Sequence, residues 1–170
     1  MANLADRVPA DDAATDELLS VCVRKTVNAS PEPTFAALTA PELVVQWWGP
    51  PGFTSDWAEI DPRPGGAFRI HMAASDGGYE GVLSGTYLIV DPPKRLSFQV
   101  IDHCNGAPEI FDATKMAPTL VEIVLRPIDD GRTELTLTHS GFQDAVAAGA
   151  HEGGWSGAFE KLAQAVETRP

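Results

Sequence analysis

Between Glu17 and Val27 the chain alternates, with Val21, Val23 and Lys25 on one face and Ser20, Cys22 and Arg24 on the other. That period of two predicts a strand with one buried face, and makes Cys22 a small buried hydrophobe by default. The pattern breaks at Ser30-Pro31-Glu32, where a capping serine and a proline at the first helical position predict a helix to about Leu38. A second start follows at Thr39, with Glu42 at capping-box spacing and Pro41 in the first turn. This helix carries Leu43, Val44, Trp47 and Trp48, and ends at Gly49-Pro50-Pro51-Gly52, which cannot continue it. From there the texture is that of strands: Phe53–Ile60, Ala67–Ala73, Tyr79–Val90, Arg95–Ile101, Thr119–Arg126 and Thr133–His139. Most spacers between them are short and rich in Gly, Pro, Asp and Ser, which favours antiparallel hairpins over crossovers. Asp102–Pro118 is the exception, and a connection of that length predicts a flap or a disordered loop.

The last pattern changes period again. Trp155, Phe159, Leu162 and Val166 recur at helical spacing from Gly154 to Thr168, with Glu160, Lys161, Gln164 and Glu167 opposite. Such a stripe lets a helix lie against a sheet. The order of strand, two short helices, six strands and long helix predicts an α+β domain. Its compact solution is a strongly curved antiparallel sheet of about seven strands wrapped around the final helix. Gly81 and Gly85, inside the long central strand, predict the kink or bulge that lets the sheet curve.

Charge and length refine this picture. One domain suffices for 170 residues, and a formal charge of −12 repels phosphate backbones and anionic headgroups, so neither nucleic acid nor a membrane surface is an expected partner. Residues 1–16 form an acidic segment expected to be a disordered tail, leaving 17–170 as the domain. No signal-peptide pattern and no membrane-length apolar run is present, so a cytoplasmic, reduced protein is expected. Cys22 and Cys104 have no zinc-type spacing, and the histidines form no HxH or HExxH pair. No metal or cofactor is therefore implied.

Several of these runs resemble a known family. They are Trp47-Trp48-Gly49-Pro50, Asp61-x-Arg63-x-Gly65-Gly66-x-Phe68, Gly85-x-Tyr87, Asp91-Pro92-Pro93-x-Arg95-Leu96-x-Phe98, Thr133-x-Leu135-x-Leu137-x-His139 and Gly154-Trp155 with Leu162. In this order they resemble the activator-of-heat-shock-protein-90-ATPase-like domains, within the START-like (SRPBCC) superfamily of helix-grip proteins. The likeness runs from about Leu19 to Val166 and implies a helix-grip fold. The superfamily includes lipid carriers, polyketide cyclases, steroid and hormone binders and co-chaperone domains, so fold alone does not settle activity. The name-giving co-chaperones have two domains, and the length here leaves no room for the second, which argues against a chaperone partner.

Candidate site residues each have a packing role beside a functional one. Trp47 and Trp48 lie about 100° apart on a helix, so one packs inward and the other sits near a cavity rim. Asp61 and Arg63 fit a tight turn better than a charged clamp. His139 follows Leu135 and Leu137 on the inward parity, where it either orients a ligand or is a satisfied core histidine. His71 falls opposite Phe68, Ile70 and Met72 and is expected in solvent, and His151 is expected at the surface. Tyr79 could direct its hydroxyl into a pocket.

No nucleophile elbow, phosphate loop or dinucleotide fingerprint occurs, and no catalytic residue is assigned. The leading expectation is a module that binds a small apolar or aromatic ligand between the 102–118 flap and the last helix. Its expected lining is Trp48, Phe68, Ile70, Met72, Tyr79, Phe98, Leu137, His139, Trp155 and Phe159. A homodimer is compatible with this reading. Two alternatives stand beside it: a cyclase or hydratase acting on a polyketide-like substrate, and a co-chaperone-like protein-interaction module.

Overall fold

Period-two alternation builds a single antiparallel sheet in the computed structural model, which describes residues 19–104, 117–129 and 131–167. The strands are β1 (Leu19–Val27), β2 (Phe53–Thr54), β3 (Ala58–Ile60), β4 (Ala67–Ala74), β5 (Glu80–Asp91), β6 (Arg95–Cys104), β7 (Thr119–Asp129) and β8 (Arg132–Phe142). Two short helices, α1 (Pro31–Thr39) and α2 (Pro41–Val44), follow β1, and α3 (Ala145–Glu167) closes the described chain. Lateral order is β1-β8-β7-β6-β5-β4-β2, with β3 also paired to β4. The two short strands share one edge position, so the sheet is seven positions wide. The sheet curls around α3, the helix-grip arrangement that the pattern predicted. The tail expected over 1–16, and residues 105–116 of the expected flap, lie outside the described residues.

The sheet's inner face is continuous. Phe68 and Ile70 on β4, Leu83 and Tyr87 on β5, Phe98 and Val100 on β6, Val121 and Ile123 on β7, and Leu135 and Leu137 on β8 are all buried. Phe159, Leu162 and Val166 of α3 close over them. Full burial of each such side chain contributes roughly 1.5–3 kcal/mol. Curvature comes from β5, whose ladder with β6 shifts register between Ser84 and Gly85 and again between Tyr87 and Ile89. Gly85 is obligatory there. A Cβ at that position would lie 2.0 Å from the Gln99 carbonyl oxygen and 2.4 Å from the Phe68 ring.

Several local expectations are corrected. Phe53–Ile60 is two strands, because residues 55–57 leave the ladder between them. Residues 102–104 continue β6, opposite Ser84, Leu83 and Val82, so the expected flap begins as strand and Cys104 stands at its end. Cys22 is exposed, since the parity that buries Val23 and Val27 turns it outward. No capping box forms at Thr39. Its hydroxyl donates to the Phe35 carbonyl, and Ala40, held extended before Pro41, becomes the helix boundary instead. Ser30 does precede α1, but its carbonyl rather than its side chain is used, accepting from the Thr34 hydroxyl.

The largest correction is the length of α3, which begins nine residues before Gly154. Ala145–Gly153 has no apolar stripe to reveal it. The helix is started instead by Asp144, whose carboxylate accepts the Ala147 amide at 2.8 Å. No described helix is long and apolar enough to cross a membrane.

Candidate ligand cavity

Toward the N-terminal half of α3 the filling between helix and sheet thins, and a cavity of about 190 Å³ opens. The longer helix supplies one wall through Ala150, His151, Gly154, Trp155 and Ala158. The loop after α2 and the start of β2 supply a second through Trp48, Gly49, Pro50 and Phe53. The sheet forms the floor with Met72, Leu83, Val100 and His139, and Tyr79 stands just before β5. Among the described residues no Asp, Glu, Lys or Arg lines this space. Rings dominate it: Trp48 and Trp155 meet nearly edge-to-face, 5.6 Å apart at 86°, while Phe53 and Tyr79 are 5.6 Å apart at 53°.

Local sequence positions the rim loop. Gly49 and Gly52 adopt φ of +93° and +83°, which reverses the chain around Pro50-Pro51. Pro51 then rests on bare helix backbone, since a Cβ on Gly157 would fall 2.2 Å from its Cδ. Lys161, one turn further along α3, donates to the carbonyls of Trp48 at 3.3 Å and Phe53 at 3.1 Å, joining both ends of the loop. Its partial burial lowers the pKa of the ammonium.

His139 is the polar group of the floor. It is 2% exposed and stands in one row with Val21 and Val121 of the neighbouring strands. The Trp155 indole donates to its Nδ1 at 3.0 Å, and its Nε2 lies 2.8 Å from the Thr119 hydroxyl. An indole can only donate, so the imidazole proton is on Nε2 and points at Thr119. Both ring nitrogens are therefore engaged in holding strand to helix. His151 stands perpendicular to His139, with ring centroids 5.2 Å apart, and its Nδ1 lies 2.8 Å from the Ala147 carbonyl oxygen. That carbonyl can only accept, so Nδ1 carries the hydrogen.

The ten expected lining residues divide evenly. Trp48, Met72, Tyr79, His139 and Trp155 meet at the cavity. Phe68, Ile70 and Phe98 lie deeper, around a gap of only about 10 Å³ that they share with Trp47 and Tyr87. Leu137 and Phe159 are fully enclosed. The strand residues among them all have the inward parity, but parity says nothing about depth along the sheet. Leu83 and Val100, on the same parity as Tyr87 and Phe98, were open to the same reasoning and were missed. His151 precedes Trp155 by four residues, which places both on one helix face, a signal hidden by the late expected start of α3.

Other candidates fall elsewhere. Trp47 packs in the core with its indole donating to the Ala37 carbonyl, while Trp48 reaches the cavity. Asp61 and Arg63 form an exposed ion pair with each other at 2.8 Å. His71 is not in solvent as expected. Its side chain is 12% exposed, stacked on Trp57 at 5.8 Å and set between Asp56 and Glu80. The displaced 55–57 segment, carrying Trp57, covers it.

Comparison with known proteins agrees with this geometry. No curated protein matches the chain, whereas many solved structures do. A protein from Chromobacterium violaceum is 25% identical, with a TM-score of 0.74 over 88% of this chain and 98% of its own. One from Mesorhizobium loti is 30% identical, with a TM-score of 0.68 over 89% and 99%. The AHSA1 protein of Silicibacter pomeroyi is 25% identical, with a TM-score of 0.72 over 86% and 96%. The family model for "Activator of Hsp90 ATPase homolog 1-like protein" matches residues 28–167, from the end of β1 to the end of α3. The chain belongs to that family, and its helix-grip fold is the family's fold.

Proposed function

We propose that the protein binds a compact apolar or aromatic molecule in the cavity under Trp155. The observation that carries this reading is an open, ring-lined space of about 190 Å³ with no charged side chain among its described lining, beside a core gap of only about 10 Å³. An engineered cavity of roughly 150 Å³ holds benzene, while drug-sized pockets start near 300 Å³. The occupant is therefore a single ring or a bicycle, and a steroid would have to lie mostly outside. A proton-transfer role as in a cyclase or hydratase finds less support, because His139 already uses both nitrogens on Trp155 and Thr119.

Thermal-shift titration with benzene, phenol, indole, a long-chain fatty acid and a steroid tests the reading. A true ligand at a hundred times its dissociation constant adds about 2.7 kcal/mol of stability. The small rings should stabilise and the large ligands should not. Ala158→Leu, which fills the cavity wall, should abolish that stabilisation while leaving the unliganded melting point within a few degrees. A flat response to every probe sinks the proposal.

A further inference from the structure

The walls of the cavity share an electrostatic character that size alone does not capture. Four aromatic side chains from different parts of the fold converge on it: Trp48 and Phe53 from the rim loop, Tyr79 from the start of β5 and Trp155 from α3. The Trp48–Trp155 pair is nearly perpendicular and Phe53–Tyr79 is steeply tilted, so the four rings stand around the space in different orientations. A ring face is the negative end of the aromatic quadrupole. The Nδ1 of His139 is an acceptor, so the floor adds no formal positive charge. The whole chain carries −12, which favours cations over anions around the molecule. Lys161, one turn along α3 from Ala158, is outside the lining and directs its ammonium to the carbonyls of Trp48 and Phe53.

From this convergence we infer that the cavity selects a compact methylated ammonium, a quaternary or tertiary amine head, over a neutral group of the same shape and over any carboxylate. The inference rests on the cavity being a ligand site, as proposed above. A quaternary ammonium suits the site better than a bare one. Its charge is spread over methyl groups, so it loses less hydration on entering a space where no described residue offers a carboxylate. Its bulk is close to that of a benzene ring, which the volume accepts. An anion would meet aromatic and aliphatic walls that carry no lysine or arginine among the described residues.

The test uses choline, its uncharged isostere 3,3-dimethylbutan-1-ol and the carboxylate 3,3-dimethylbutanoate, titrated against the full chain by calorimetry and by indole NMR shifts. Choline should bind roughly tenfold or more tightly than the alcohol, since each ring face supplies about two- to fivefold. The carboxylate should bind most weakly of the three. Phe53→Leu keeps an apolar rim residue and should narrow the choline preference by roughly two- to fivefold with little effect on the alcohol. Its melting curve serves as the control for folding. Equal or tighter binding of the alcohol, or a preference untouched by Phe53→Leu, overturns the inference. If benzene or indole binds while choline does not, the charge preference fails and the cavity reading survives. If none of these probes binds, both fail.

Discussion

At the scale of single residues, Gly85 and Tyr87 show how little slack the inner sheet has. Alanine at position 85 must displace either the β6 backbone at Gln99 or the ring of Phe68. Overpacking of this kind costs about 1–3 kcal/mol, and a contact with backbone belongs at the upper end. Gly85→Ala should therefore lower unfolding free energy by about 3 kcal/mol in urea denaturation, and an unchanged midpoint would contradict the close approach. Two positions on, burial pushes the Tyr87 phenol above its usual value of 10.0. A folded value above the unfolded one means the native state holds its proton longer. Stability is intact below pH 10 and lost as pH rises beyond it. By pH 11 the loss from this one group reaches about 1.4 kcal/mol. Tyr87→Phe should be free of that component, so denaturation of both proteins at pH 8 and pH 11 should show wild type falling further. Parallel losses would place the phenol in contact with water.

At the scale of elements, the rim loop and α3 act as one unit, and Gly157 is where they meet. Gly157→Ala favours the helix by up to about 1 kcal/mol, yet its Cβ cannot coexist with Pro51 as placed. The two effects oppose each other in stability but not in geometry. The expected result is a nearly unchanged melting point with altered Trp48 and Trp155 fluorescence and weakened ligand binding. Unchanged fluorescence and binding would mean that Pro51 does not bear on the helix. This unit also marks the limit of what patterning discloses. The strands were legible because each has a buried and an exposed face, and the C-terminal half of α3 because Trp155, Phe159, Leu162 and Val166 form a stripe. The first nine residues of α3 were not, since the ones that turn inward are Ala148, which is small, and Ala150 and His151, which border the cavity. The same physics hid half of the site. Gly49, Pro50, Gly154 and Ala158 line empty space by being small. Their role is defined by a neighbour that only the fold supplies, as Phe68 and Ile70 owe their place in the closed core to depth along β4.

At the scale of the whole molecule, two features govern how it behaves among its copies. Among the described residues the sheet ends at β1 on one side and at β2 with β3 on the other. One edge is short, and the other carries Lys25 on its inward parity, paired to Glu160 of α3 at 2.6 Å. An inward-directed charge on an edge strand discourages further strand addition. The second feature is the charge of −12. Contact pairs such as Arg95–Glu122, Arg132–Asp129 and Arg69–Glu59 offset part of the repulsion, each weakly because water screens it at the surface. Salt weakens both terms, but not equally. The pairs act at contact, whereas repulsion among the excess carboxylates acts across distances beyond the roughly 10 Å screening length at 0.1 M salt. Repulsion is therefore screened first, and the melting point should rise by several degrees between 10 mM and 0.3 M sodium chloride. A fall over that range would show that the contact pairs, Lys25–Glu160 among them, outweigh the net charge. The edge of β1 would then be held by attraction across to α3 more firmly than the chain's excess charge loosens it.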